Sequence, residues 1–292
     1  MKTSKRRATT TTSIADDSLL PIEIIFEILI RLPVKILLKM GSVSKSWASL
    51  ISSPQFIKTH LKLSTNNPEF AYHRLLSIRS GLHTNDDRHF FSWTNFRTYS
   101  LYSILYEESP RSLVELHNFG NSVGISYEVL GSFDDSVRVN YKILGSCDGL
   151  FIISTTSYCY IEDMFLWNPS IRKLRKLPFS GRDLRNDTRV DYGFGYIECQ
   201  NDYKIVQIVA SKSNSEIVGI SIYSLRSNSW KRIRIQEYPS IYLTEPVKFV
   251  KGNLHWITGG GSDRKATWFN PGDQTFGNVA LPNPSGDTFN WK

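Results

Sequence analysis

The sequence predicts an α+β chain in which a short helical module precedes a large all-β domain of sandwich or propeller type. Three observations predict it. Residues 19–61 carry apolar side chains at helical spacing, punctuated by proline and glycine where helices start and stop. From Phe70 onward that spacing gives way to short β-branched or aromatic runs separated by Gly, Asn, Asp and Ser clusters. A loose repeat of about 50 residues runs through this second part.

Ten of the fourteen residues in LLPIEIIFEILIRL, 19–32, are apolar. Glu23, Glu27, Arg31 and Lys35 recur every four residues, so a single helix through them shows one narrow polar stripe. Pro21 suits a first helical turn, where its missing amide hydrogen is not needed, and Pro33 ends this helix and opens the next at Val34. The second helix runs through Ile36, Leu37, Leu38 and Met40 to Gly41. A third spans Val43 to Ile51 with Val43, Trp47, Leu50 and Ile51 on one side. A fourth is capped by Ser53 with Pro54 at its first position and Phe56, Ile57 and Leu61 facing inward.

Helices this short and this apolar exceed what they hide among themselves, so a cover is implied. About five large side chains left for an interface contribute about 7 to 15 kcal/mol on burial, before association costs. The pattern alone leaves two covers open: another polypeptide, or the chain's own β domain. Charges and two prolines interrupt the run from Leu19 to Leu38 and argue against a membrane span.

Hydrophobic residues make up 40% of the 292-residue chain and aromatics 13%, which favours a packed, strand-rich interior. Cys147, Cys159 and Cys199 have neither an even count nor a metal-ligand spacing, and no apolar signal segment opens the chain; an intracellular, reducing setting is expected. Lys2, Lys5, Arg6 and Arg7 fall in a basic tail, residues 1–15, expected to be disordered and solvated, with a nuclear localisation patch as its functional reading. The net charge of +8 makes an acidic partner thinkable, but apart from the tail and Arg172–Lys176 the charges are spread out. The 172–176 run is expected to be a solvated strand edge that discourages aggregation.

The repeat reads FLWNP (165–169) ending at Leu177-Pro178, then IYSL (222–225) with Trp230, then WFNP (268–271) ending at Leu281-Pro282. Each copy pairs an apolar strand, a turn and a second strand, as the outer hairpin of a propeller blade does. LGSCDGL (144–150) and VKGNLHW (250–256) would supply inner strands.

No catalytic or cofactor constellation stands out. Gly120–Gly124 matches GxSxG, but a strand-like ISYEV follows the serine instead of the helix that motif needs, so a hairpin loop is expected. Gly193-Phe194-Gly195 lacks a third glycine and a following helix and reads as a strand bend. The six histidines include no pair at helical ligand spacing; His83 and His89 flank Asp86 and Asp87 in a polar loop, and His255 beside Trp256 reads as a sheet residue. Asn186-Asp187-Thr188 fits a glycosylation pattern that an intracellular chain does not meet. Trp167, Trp230, Trp256 and Trp268 are blade-core candidates. No cofactor and no metal are predicted, and neither nucleic acid nor a membrane is a predicted partner.

Residues 20–61 resemble an F-box in Leu20-Pro21, Glu27-Ile28-Leu29, Arg31-Leu32-Pro33-Val34-Lys35, Val43-Ser44-Lys45-Ser46-Trp47 and Ser53-Pro54, with Gly41 and Ser42 departing from the bulkier residues or cysteine often found there. The resemblance implies a helical module clamped onto a Skp-type adaptor and, through it, a cullin and a RING subunit. It implies adaptor contacts at Leu20, Pro21, Ile24, Ile25, Ile28, Leu29, Leu32, Pro33, Leu37, Leu38, Val43, Trp47 and Leu50. LGSCDGL, FLWNPSIRKLRKLP (165–178), YGFGY (192–196), NDYKIV (201–206), IYSLRSNSWKRI (222–233) and GNLHW (252–256) resemble, in order, the F-box-associated domain of the large plant F-box family.

Together the resemblances imply a three- to four-helix F-box at 16–62, a linker and first strands at 63–95, and an all-β, kelch-like β-propeller at 96–292. Family members commonly run longer, so the β domain is expected to be C-terminally shortened and its ring incomplete. The implied function is substrate recognition for a ubiquitin ligase, with no catalysis in the chain itself and an unknown protein substrate, in cytoplasm, nucleus or both. The competing expectation is a non-degradative interaction module that competes for the adaptor.

Overall fold

The computed structural model describes residues 20–66, 73–84, 90–107, 114–117, 140–157, 160–178, 180, 187–213, 217–233, 247–258 and 265–280. The basic tail, the Gly120–Gly124 loop with the strand expected after it, Asp86, Asp87, His89, Cys159, Asn186 and Leu281-Pro282 lie outside these residues. The chain divides into two compact units, Met1–Asn67 and Pro68–Lys292.

The first unit contains α1 (Ile22–Leu29), α2 (Val34–Met40), α3 (Lys45–Ile51) and α4 (Pro54–Thr65). Pro21 and Pro33 stand just before α1 and α2, and their carbonyls accept the first-turn amides of Ile24, Ile25, Ile36 and Leu37 at 2.8–3.2 Å. Ser44 and Ser53 cap α3 and α4 by accepting from the amides of Trp47 (3.1 Å) and Phe56 (3.2 Å), each cap contributing about 1 kcal/mol. The third helix therefore starts at Lys45 and leaves Val43 in the turn. The expected four-residue polar stripe does not form on one helix. Helix α1 ends at Leu29, Lys35 belongs to α2, and only Arg31 pairs with Glu27, at 2.9 Å, on the surface.

Ile25, Leu29, Ile30, Leu37 and Phe56 form the core of this unit, with Phe26, Leu32, Met40, Trp47, Leu50 and Ile51 packed round it. The ring of Phe26 meets Phe56 edge-on at 5.4 Å. His60 Nε2 donates to the Leu32 carbonyl at 2.8 Å and ties α4 to the α1–α2 corner.

The second unit opens with a three-stranded sheet of β1 (Arg74–Thr84), β2 (Phe90–Ser100) and β3 (Val114–His117). A six-residue helix, α5 (Leu101–Tyr106), joins β2 to β3. The loss of helical spacing after Phe70 had pointed to no helix here. LYSILY has too few turns to show a period, and Ser100, which accepts from the Ser103 amide at 3.5 Å, starts it.

Three four-stranded antiparallel meanders follow. The first holds β4 (Asn140–Cys147), β5 (Leu150–Ser157), β6 (Tyr160–Asn168) and β7 (Lys173–Lys176). The second holds β8 (Thr188–Ile197), β9 (Asp202–Ser211), β10 (Ile217–Ser224) and β11 (Ser229–Ile233). The third holds β12 (Lys248–Val250), β13 (Asn253–Thr258), β14 (Lys265–Asn270) and β15 (Thr275–Ala280). The repeat found in the sequence is the β6–β7, β10–β11 and β14–β15 hairpin series, and the glycine-led segments are β4–β5 and β12–β13.

Turn chemistry explains the repeat. Asp148-Gly149 and Lys251-Gly252 are two-residue hairpin turns with positive φ at both positions, 52° and 77°, then 48° and 82°, the geometry that matches strand twist. The three outer hairpins share a four-residue turn whose last residue, Arg172, Asn228 or Gln274, also has positive φ. The residue before each turn accepts a backbone amide on its side-chain oxygen: Asn168 from Ser170, Ser224 from Ser227 and Asn270 from Gly272.

The sheets stack face to face with β4, β8 and β12 side by side, the arrangement of propeller blades. Ile153, Phe165 and Trp167 fill the layer next to Leu76 of β1. Ile152, Met164 and Leu177 meet Tyr192, Phe194, Ile205 and Tyr223 in the next layer. Val206, Ile208, Ile220 and Ile222 meet Leu254, Trp256 and Phe269 in the last.

YGFGY is no bend, because β8 runs through it unbroken. Gly193 and Gly195 face the third sheet, where an added Cβ would collide with Leu254 and with the Phe249 ring, and Gly145 lies against the backbone of Phe194 in the same way. These glycines set the sheet spacing. Trp167 and Trp256 are buried, Trp230 packs on Tyr223, and Trp268 lies over Gly277.

Candidate functional site

The helical unit presents an apolar surface that its own core leaves out. On α1, Ile25 and Leu29 turn inward, whereas Ile24 (47% exposed) and Ile28 (49%) form an i, i+4 stripe on the outside. Leu20 and Pro21 precede that stripe and are exposed, as are Pro33, Leu38 of α2 (51%) and Val43 in the α2–α3 turn (61%).

The thirteen positions singled out in the sequence thus separate. Leu20, Pro21, Ile24, Ile28, Pro33, Leu38 and Val43 are at the surface, and Leu32, Trp47 and Leu50 are half-buried against the core. Ile25, Leu29 and Leu37, at 5%, 1% and 4%, lie within the core. A side chain sealed inside its own module offers no area to a partner, so these three hold the helices that carry the surface. Ile22, Ile36, Ile57 and Leu63 are also exposed. Ile57, placed inward by its spacing, lies instead on the exposed side of α4, and Ile22 escapes a spacing rule because α1 is apolar on nearly every side.

Gly41 ends α2 with an ordinary φ of −60°, and a Cβ there would make ordinary van der Waals contact with the Leu37 and Leu38 carbonyls, so the backbone does not require glycine at this position.

The β-rich unit carries polar groups in structural roles. Buried Asp202 accepts from Ser224 Oγ at 2.6 Å and from the Arg226 amide at 3.0 Å, closing the β10–β11 turn. Buried Lys204 donates to Gln200 Oε1 and to the Pro271 carbonyl, and Gln200 Nε2 reaches the Gly272 carbonyl at 2.8 Å, so the second and third sheets are stitched at one corner. Burial lowers the Lys204 pKa. His255 sits across from Trp268 in the third sheet. Among the described residues no three His, Cys, Asp or Glu side chains group as metal ligands, and no helix is long and apolar enough to cross a membrane.

Cys147 is a free, half-buried cysteine at the β4–β5 turn. Burial, with the neighbouring Asp148 charge, pushes its thiol up to about 12, while Tyr203 donates to Asp148 Oδ2 at 2.9 Å beside it. The thiolate is the reactive form, so native protein treated with iodoacetamide at mildly alkaline pH should modify exposed Cys199 at least about tenfold faster than Cys147. Peptide mapping against time checks this, and equal rates would place Cys147 in a wetter setting.

An exposed apolar helical surface in one unit and a stack of antiparallel blades in the other define a two-part, helical and β-propeller-like class of chain. The chain belongs to the family of the F-box associated beta propeller domain, whose model matches residues 89–282, and residues 18–59 match the F-box domain. It is 29% identical over 245 residues to an F-box/kelch-repeat protein of Arabidopsis thaliana, covering 81% of this chain and 58% of that one. It is also 29% identical to the F-box protein CPR1 of Arabidopsis thaliana, covering 82% of this chain and 53% of that one. The chain therefore spans little more than half the length of these relatives. Among solved structures it is similar to Aleuria aurantia lectin, at a TM-score of 0.33 and 12% identity over 72% of this chain and 63% of that one.

Proposed function

We propose that this chain is a substrate-recognition subunit of an SCF-type ubiquitin ligase. The F-box, residues 16–62, docks on a Skp-type adaptor, which links it to a cullin and a RING subunit. The β-rich residues from 96 onward hold the protein to be ubiquitinated, and the chain contributes proximity rather than chemistry. The observation that carries this reading is the set of exposed apolar side chains on an F-box: Leu20, Pro21, Ile24, Ile28, Pro33, Leu38 and Val43. Leu32, Trp47 and Leu50 contribute their exposed edges, and Ile25, Leu29 and Leu37 keep the surface in shape from within.

Proximity labelling from the chain in plant cells, with and without a proteasome inhibitor, tests the reading. The adaptor should be labelled equally in both conditions, whereas at least one other partner should accumulate several-fold with the inhibitor. Partners whose abundance ignores the inhibitor would mark a non-degradative role.

A further inference from the structure

We infer that the paired outer edges of the first two blades form a docking strip for an acidic, extended segment of a partner protein. The inference rests on the proposed function and names the class of target it recognises. Edge strand β7 carries Lys173, Arg175 and Lys176 with Arg172 in the turn before it, and edge strand β11 carries Lys231 and Arg232 with Arg226 in the turn before it, all exposed. About fifty residues apart in sequence, the two runs meet in space. Arg175 Nη2 donates to Asn228 Oδ1 at 2.6 Å, and Trp230 Nε1 donates to the Pro178 carbonyl at 2.8 Å.

Cross-strand partners share a face, so Arg175, opposite Leu166, and Arg232, opposite Ser221 and next to the Tyr223–Trp230 pair, both stand at the mouth of the layer between these sheets. Among the described residues Asp163, 2.8 Å from Lys176, is the carboxylate that pairs with this strip.

Protection of strand edges by charge accounts for either run alone. It does not account for the third blade. There β15 occupies the same edge position with no charged residue, Val279 exposed, and Asp273 in the preceding turn. The charge follows the joint between the first two blades, not the edges in general.

A protein segment fits this strip better than nucleic acid. The outer sides of β7 and β11 have no strand partner within their sheets, so their backbone groups can pair with an extended chain while the cations meet its carboxylates. Trp230 is the one aromatic among residues 172–178 and 226–233; it is half-buried with its ring against Tyr223 at 5.3 Å and its indole N–H engaged, so among the described residues of these two runs no ring stands free for bases to stack on.

The test uses the full chain and a fluorescein-labelled peptide carrying a run of glutamates, with the glutamine counterpart as control, read by anisotropy. The glutamate peptide should bind and the glutamine peptide should not. The combined Lys173→Gln, Lys231→Gln and Arg232→Gln variant, which spares the Arg175 contact, should weaken binding at least about tenfold. Lys248→Gln with Lys251→Gln on the third blade should leave it within about twofold. Equal losses in both variants, no binding of the glutamate peptide, or tighter binding of a uridine oligonucleotide would each overturn the inference. In the labelling experiment, inhibitor-dependent partners retained by the triple variant would overturn the strip and leave the ligase reading standing. Absence of such partners from the parent chain would overturn that reading, and the peptide measurement would still judge the strip.

Discussion

Replacing Ile24, Ile28 and Leu38 together with alanine is expected to weaken binding of a Skp-type adaptor by about two to three orders of magnitude while leaving the helical unit folded. Each change removes about three methyl or methylene groups, worth about 2.4 kcal/mol if taken from full exposure to full burial. In the free chain these side chains are 47%, 49% and 51% exposed, so about half of that remains to be gained on binding. The sum is about 3.5 kcal/mol, or about 300-fold in Kd. Calorimetric titration of the purified adaptor measures it, with the unfolding midpoint as the control for folding. A Kd within about threefold of the parent would show that these side chains do not meet the adaptor.

Leu29→Ala provides the contrast that separates surface from core. Leu29 is sealed among Ile25, Ile30, Leu37 and Phe56, and its truncation costs about 2 to 5 kcal/mol of folding stability. A unit whose described residues bury five apolar side chains has little stability to lose. Loss of adaptor binding in that variant would follow from melting and would say nothing about contact. The two kinds of residue alternate within two turns of α1, which is why alanine substitutions chosen from the motif alone mix the two effects.

Much of the fold was legible because its signals are local. Pro21, Pro33, Ser53-Pro54 and the Asp-Gly and Asn-Pro turns are backbone instructions that act within a few residues, and the elements they delimit are where those residues put them. The outer hairpins followed from FLWNP and WFNP because the strand and turn recur together.

What the sequence withheld depends on contacts between distant residues. Which α1 isoleucines face outward is decided by Phe56 of α4, roughly thirty residues on. The glycines of YGFGY looked like a local kink, since nothing near them in the chain shows that Leu254 and Phe249 press on that strand from another sheet. Likewise the basic run at 172–176 reads as a solvated edge, and nothing near it in the chain links it to Arg226, Lys231 and Arg232 until Arg175 meets Asn228.

Gly193 makes that long-range dependence measurable. In a strand free of close neighbours, Gly→Ala raises stability by about 0.4 to 1 kcal/mol, because the unfolded chain loses freedom. Here the added Cβ would enter the space of Leu254, which is fully buried between the second and third sheets and packed in the same core as Val206, Ile208 and Phe269. The sign should therefore reverse, with Gly193→Ala costing about 1 to 3 kcal/mol. Leu254→Ala alone should cost about 2 to 5 kcal/mol by opening a cavity. In the double variant the new methyl occupies part of that cavity and its clash is gone, so the combined cost should fall short of the sum by at least about 1 kcal/mol. Urea unfolding of the full chain, followed by tryptophan fluorescence, gives all four corners of the cycle. Simple additivity, or a Gly193→Ala protein more stable than the parent, would mean that the second and third blades stand further apart than β8 and β13 do here.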